Sequence, residues 1–277
     1  MEETLWRGMN RAELDAAYNN GQAVAQSAAM LAEWTRRSAI FRSGYSAGLD
    51  LRYGDRPRNT IDLFRSRASH APLLVFIHGG YWQRNSKEMF ACLAAGPLAA
   101  GFDVAMIGYT LCPIISLMQL VAEIEAAMDW LGTHARQYGA TRDRVIVSGW
   151  SAGAHLAAML MNRDEVDAGL LISGIFDLEP CRLNYLNQAL RLMPNEAHLL
   201  SPLHHIPAST GPLSIAYGLD ELPELRRQSC EYAARWQDAG LSAQLVPLAH
   251  DHFSILHEIE RPDGHLVKAL TELVDLT

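Results

Sequence analysis

The sequence predicts an α/β fold: a mostly parallel central sheet with helices on both faces, an antiparallel hairpin at one edge and a helical N-terminal extension. Three observations predict it. Six short apolar runs recur along the chain, too continuous to be half-exposed strands and therefore expected to be covered on both faces. Stretches of helical period lie between most of them, and strands alternating with helices imply parallel pairing. Ahead of the first apolar run, two segments of strict alternation flank a Gly-Asp-Arg-Pro turn, the signature of a hairpin.

Taken in order, residues 11–42 carry apolar side chains at helical spacing (Ala12, Leu14, Ala17, Tyr18, then Ala28, Leu31, Ala32, Trp34), interrupted at Asn19-Asn20-Gly21. Residues 1–45 therefore read as a helical extension. Leu49–Tyr53 and Thr60–Phe64 are the hairpin strands around Gly54–Pro57. The buried strands are Leu73–Ile77, Asp103–Ile107, Arg144–Ser148, Gly169–Ser173, Pro212–Tyr217 and Ala243–Pro247. Helices are expected over 87–100, 117–137, 153–162, 223–239 and 264–274. The segment 177–207 breaks the alternation, with Tyr185, Leu186, Leu190, Leu192, Met193 and Leu199 among Pro194, Pro202 and Pro207. An insertion after a strand sits at the carboxyl ends of the sheet, so 177–207, with the N-terminal helices, is expected to form a lid. The whole, residues 1–277, is read as one domain.

With 277 residues, 49% of them hydrophobic and 19% charged, the chain can bury a sizeable core. A net charge of −8 argues against nucleic acid or an anionic membrane as partner. The expected partner is a small molecule, with a homodimer left open. Cys92, Cys112, Cys181 and Cys230 are widely spaced, with no C-x-x-C, and are read as reduced thiols. The start, Met1–Arg7, lacks a basic stretch followed by an apolar run, and no segment has the apolar length of a membrane span. A cytoplasmic protein is the expectation.

The chemistry centres on Gly149-Trp150-Ser151-Ala152-Gly153. A strand-like run precedes it and a run of helix formers follows, the strand–turn–helix context that a G-x-S-x-G nucleophile needs. Three fixed positions arise by chance in roughly one chain of this length in ten, and Gly44-Tyr45-Ser46-Ala47-Gly48 has the same pattern. It is followed by an alternating strand instead of a helix, so Ser46 is read as a turn residue and Ser151 as the nucleophile. His78-Gly79-Gly80-Tyr81-Trp82 closes the first buried strand. Glycines there let backbone N–H groups approach a developing oxyanion, so Gly79, Gly80 and Ala152 are the expected donors. The acid and base should follow later strands in the order Ser, Asp/Glu, His. Asp220 and Glu221 both satisfy the first position, and His250 and His252 the second. Metal-ligand spacing is not evident and no H-E-x-x-H occurs, so neither a metal nor an organic cofactor is expected. His155 is expected to be structural and His204-His205 to lie at the surface. Tyr81, Trp82 and Trp150, with Tyr185, could shape an aromatic-friendly pocket.

His78–Trp82 resembles the HGGxW signature of the α/β-hydrolase kynurenine formamidases (arylformamidases), relatives of the hormone-sensitive-lipase-like esterases. Gly149–Met159 is similar to their nucleophile segment G-x-S-A-G-A-H-L-A-A-M, Gly218–Ser229 to their acid segment, and Asp251-His252-Phe253 to their terminal D-H-F. Asp15–Asn20 also looks like bacterial members. The likeness spans roughly residues 50 to 260. It implies the α/β-hydrolase fold and a triad of Ser151, Glu221 and His252, since the family acid lies three residues after the glycine and its base directly precedes the phenylalanine. It implies cleavage of an aryl formamide such as N-formyl-L-kynurenine, a step of tryptophan catabolism, with a carboxylesterase on small acyl esters as the alternative. Two positions depart: the acid is Glu where several relatives have Asp, and Trp150 stands where relatives often have His, which bears on substrate identity.

Overall fold

The computed structural model describes residues 4–277, so Met1-Glu2-Glu3 of the N-terminal segment read above lie outside the described residues. Its centre is an eight-stranded sheet in the order β1-β2-β4-β3-β5-β6-β7-β8. The strands are β1 (Leu51–Arg52), β2 (Thr60–Phe64), β3 (Leu73–Ile77), β4 (Asp103–Ile107), β5 (Val145–Trp150), β6 (Ala168–Ile172), β7 (Leu213–Gly218) and β8 (Ala243–Leu248). Strands β3 to β8 pair in parallel, and β1 and β2 form the antiparallel edge, β2 running against β4.

The apolar runs are continuous because alternate side chains enter different cores. Leu73, Val75 and Ile77 of β3 and Ala105 and Ile107 of β4 join one cluster; Leu74, Phe76, Val104 and Met106 join the other. The first face is covered by α5 (Leu117–His134), α6 (Ala152–Met159) and α10 (Pro223–Asp238), the second by α3 (Ser27–Ser43) and α12 (His265–Leu276). Capping fixes where α5 begins: Ser116 and Gln119 exchange side-chain-to-backbone hydrogen bonds at its N-terminus.

Two expectations change in detail. The helix expected over 87–100 is a 3-10 helix, Lys87–Ala94, followed by the short α4, Ala95–Ala99. The first of these begins at an ion cluster around the buried Lys87 and Asp62. Lys87 Nζ lies 2.7 Å from Asp62 Oδ1, 2.6 Å from Asp50 Oδ1 and 2.9 Å from Glu88 Oε1, while Arg42 Nε of α3 reaches Asp62 Oδ2 at 2.8 Å. The N-terminal segment divides into α1 (Arg11–Ala17), α2 (Asn20–Ala23) and α3, with Asn20 and Gly21 opening the short α2. Segment 177–207 carries α7 (Glu179–Leu183), α8 (Asn187–Leu190), α9 (Pro194–Leu199) and a 3-10 turn at Pro202–His204. It docks on the N-terminal segment: Tyr185 N–H donates to Asp15 Oδ1 at 2.8 Å and its hydroxyl to Tyr18 O at 3.2 Å. Among the described residues no helix is long and apolar enough to cross a membrane.

Gly149 and Gly153 are where the fold tolerates no side chain. A Cβ on Gly153 would lie 2.0 Å from Ile77 O, and one on Gly149 would lie 2.3 Å from Gly153 O. Both obstacles are backbone, one at the end of β3 and the other in the first turn of α6, and neither can move aside as a flexible side chain would. Gly153→Ala is expected to lower unfolding free energy in urea by about 3 kcal/mol or more. Gly21→Ala, whose Cβ would meet nothing closer than 3.9 Å, should stay within about 1 kcal/mol of wild type. Equal losses for the two would contradict this reading of the turn.

Candidate active site

Ser151 sits between the end of β5 and the start of α6 with φ 57° and ψ −120°. A non-glycine residue there is strained by about 1–3 kcal/mol. The strain is held by Ser151 N–H donating to Ile172 O at 2.8 Å and by the tight passage through Gly149 and Gly153. Ser46, by contrast, lies exposed in the turn between α3 and β1.

The loop after β3 comes up against this turn. A Cβ on Gly79 would lie 2.6 Å from Trp150 O and 3.1 Å from Ser151 Cβ, so only glycine lets the two segments touch. Gly80, Tyr81 and Trp82 follow with φ of 125°, 51° and 60°, a left-handed run. Asn85 Nδ2 donates to Gly79 O at 3.2 Å and braces it. Among the described residues, the N–H groups of Gly79, Gly80 and Ala152 donate to no acceptor. Ala152 is the first residue of α6, where a helix leaves its N–H groups unspent. These groups are thus available to a negative charge forming beside Ser151.

The structure separates the doubled acid and base candidates. Glu221 is buried, and its Oε1 accepts from Gly218 N–H at 2.9 Å and from the Ser173 hydroxyl. Its Oε2 faces His252 Nδ1 at 3.5 Å. Neither of these facing atoms has a hydrogen-bond partner elsewhere among the described residues. The separation is longer than a full hydrogen bond, as contacts of this kind often are without substrate. Asp220 is exposed and points its backbone N–H at His250 O, 3.1 Å. His250 is turned toward Ser254 and Glu258, its Nε2 3.2 Å from Glu258 Oε1. Asp251 caps the turn, accepting from Phe253 and Ser254 N–H at 2.8 and 2.9 Å. The acid and base loops are zipped together at Gly218, where a Cβ would lie 2.1 Å from His250 O.

Ser151 and His252 both line a cavity of about 230 Å³, together with Gly80, Tyr81, Trp150 and Phe253. Asn20, Gly21, Ser27, Ala28 and Leu31 of the N-terminal segment form its opposite wall, whereas no residue of 177–207 lines it. Trp82, expected to touch substrate, does not reach the cavity. It is fully buried, and its indole N–H donates to His155 Nδ1 at 3.1 Å because the left-handed turn drives the ring into the core. Tyr185 likewise stays outside, bonded to Tyr18. Tyr81 lines the cavity with its ring, but its hydroxyl donates to Tyr18 O and accepts from Asn20 Nδ2. Trp150 has a second task. Its indole N–H donates to His252 O at 2.8 Å, and its ring lies 5.1 Å from the imidazole and 5.5 Å from Phe253.

Sequence reasoning missed Ser173 and Asn85; it expected the N-terminal helices in a lid but named none of the α2 and α3 residues that line the cavity. Ser173 carried a faint signal, a Ser-Gly pair ending a buried strand. Among the described residues no cluster of three metal-ligating side chains could hold an ion.

Two further histidines shape the site without facing it. His155 donates from Nε2 to Leu200 O at 2.8 Å, since its Nδ1 accepts from Trp82. His78 stacks on Tyr109 at 4.2 Å, with Nδ1 2.8 Å from Gly79 O. Burial pushes the first ring down to about 4 and the second to about 3.

The comparisons fit this arrangement. The BD-FAE family model matches residues 61–171. The kynurenine formamidase of Drosophila melanogaster is 30% identical over 245 residues, covering 80% of each chain. That of Danio rerio is 26% identical over 294 residues, covering 97% of this chain and 98% of the other. A solved structure from Silicibacter sp. superposes with a TM-score of 0.84 at 26% identity, over 94% of this chain and 99% of that one.

Two outcomes follow from the geometry. Trp150→Phe keeps the ring and removes the donor to His252 O, so kcat/KM should fall about tenfold and stability by about 1 kcal/mol; an unchanged kcat/KM would show that the base loop needs no such strut. His78 and His155 are neutral in the fold, whereas unfolded histidine titrates near 6.5. Below that pH the unfolded chain binds protons that the fold refuses. Their contribution is intact above about pH 6.5 and declines toward pH 4 by about 1 kcal/mol per histidine per pH unit. Urea midpoints should drop over that range, less steeply in His155→Gln, and an equal slope in that variant would contradict the assignment.

Proposed function

The chain belongs to the kynurenine formamidase family, and from that premise we propose that it hydrolyses a small aryl formamide such as N-formyl-L-kynurenine through a formyl-enzyme on Ser151. The observation that carries this reading is the buried Glu221–His252 pair opening onto the same cavity as the strained Ser151.

In the proposed sequence His252 Nε2 takes the hydroxyl proton as Ser151 Oγ attacks the formyl carbon. Glu221 holds Nδ1–H and stabilises the imidazolium. The tetrahedral oxyanion is received by the N–H groups of Gly79, Gly80 and Ala152, each donor of this kind being worth about 10²–10³ in rate. His252 then gives its proton to the departing aryl amine, completing cleavage of the C–N bond. Water enters, His252 takes its proton, and formate leaves as the serine is restored. Water is the one co-substrate the balance requires.

An ester is cleaved by the same steps with a better leaving group, so a carboxylesterase on small acyl esters is the second reading. The 230 Å³ cavity favours small acyl groups in either case. A cytoplasmic site for the reaction is part of the proposal, supported by four cysteines that are all unpaired thiols.

Turnover of N-formyl-L-kynurenine and of 4-nitrophenyl acetate by the purified protein separates the two readings: vigorous ester cleavage with no formamide cleavage would overturn the first. Ser151→Ala should lower kcat by about 10⁴–10⁶ and Glu221→Gln by about 10²–10⁴. Ser46→Ala should leave kcat within about twofold of wild type.

A further inference from the structure

Apart from the His252 imidazole, the cavity beside Ser151 is lined by one charged side chain, Arg84. Arg84 is exposed, and among the described residues its guanidinium has neither a carboxylate nor a hydrogen-bonding partner. The neighbouring Arg58 is fully committed, to Tyr109 O and Asn85 O. Arg84 is nevertheless well positioned. Its backbone N–H donates to Gly80 O at 3.0 Å, and its own carbonyl lies 2.4 Å from where a Gly80 Cβ would be. The turn that offers N–H donors to the oxyanion thus also sets the root of this side chain. Arg84 lines the cavity together with Tyr81, as do Asn20, Gly21, Ser27, Ala28 and Leu31 of the N-terminal wall.

A cation on a rigid turn, in a chain of net charge −8, draws an anion locally against a repulsive background. We propose that Arg84 determines specificity by pairing with a carboxylate carried by the substrate, away from the scissile acyl group. The substrate is then an acylated aromatic amine whose tail ends in a carboxylate, and guanidinium suits a carboxylate because it can donate two parallel hydrogen bonds. The proposal rests on the hydrolase reading of this pocket and assigns Arg84 as the residue that reads the tail's carboxylate.

Two formamides of one ring type test it: N-formyl-L-kynurenine, and 2-formamidoacetophenone, which lacks the amino-acid tail. The readout is the ratio of kcat/KM, carboxylate-bearing over tail-less. Arg84→Gln should lower that ratio by about 10–100-fold, chiefly through KM. Arg84→Lys should restore part of it. A ratio within about twofold of wild type in Arg84→Gln overturns the proposal. Salt gives a reading that needs no variant, because an ion pair at a solvent-facing rim is screened: the wild-type ratio should fall as salt rises, and a salt-independent ratio overturns the proposal too. If wild type cleaves neither formamide, the amidase reading fails separately. The same variants are then read on 3-(4-acetoxyphenyl)propionate against 4-ethylphenyl acetate, a pair that differs in a carboxylate on the leaving group, where a falling ratio supports Arg84 as the carboxylate reader and an unmoved one overturns it.

Discussion

The backbone at Ser151 is bent into a conformation that a serine adopts only under compulsion, φ 57° and ψ −120°. What compels it is lack of room. β5 runs into α6 so abruptly that Gly153 must pass within contact distance of Ile77 on β3, and Gly149 within contact distance of Gly153 itself. The strain lifts the hydroxyl off the sheet and leaves the first N–H of α6 unspent beside it. The proposed nucleophile and one proposed oxyanion donor are therefore products of one bend, and the Gly79 loop comes up against it because Gly79 carries no Cβ.

The rest of the site hangs on this turn through side chains outside the proposed triad. Trp150, one residue before the serine, holds the His252 loop by its carbonyl. Trp82 and His155 tie the oxyanion loop to α6 and, through Leu200, to the 177–207 segment. Tyr18 is the hub on the other side. Its carbonyl accepts from Tyr81 and Tyr185, and its hydroxyl donates to Glu224 and accepts from Gln228 on α10. Gln228 in turn accepts from the N–H groups of Phe176 and Asp177, where the insertion leaves the sheet. The N-terminal segment is thus bonded into the scaffold, and α2 and α3 wall the pocket from a fixed position.

Much of this was legible in the chain. Strand β3 and strand β4 were read to the residue, because burial on both faces leaves a continuous apolar signal. Ser151 was legible from its strand–turn–helix context, and Gly79 and Gly80 from their place after a buried strand. The pairing of Glu221 with His252 was not: adjacent Asp220 and Glu221, and His250 and His252, are equivalent as text. They differ only in which way a tight turn points the side chain, and the sequence likeness to a family made the choice. Trp82 was misread for the same reason, since three successive positive φ values reverse the expected direction of its ring. The N-terminal helices were expected in a lid, but which of their residues from Asn20 to Leu31 wall the pocket had no local signal, as the wall forms by contact between residues some sixty positions apart, such as Asn20 and Tyr81.

The central claim is that one hydroxyl, at Ser151, becomes covalently acylated. Brief treatment of the full chain with a fluorophosphonate, followed by intact-mass measurement and peptide mapping, tests it directly. The account predicts a single adduct per chain, on the peptide bearing Ser151, formed far more slowly in His252→Ala. An adduct on Ser46, or labelling at Ser151 that is indifferent to His252, would contradict it.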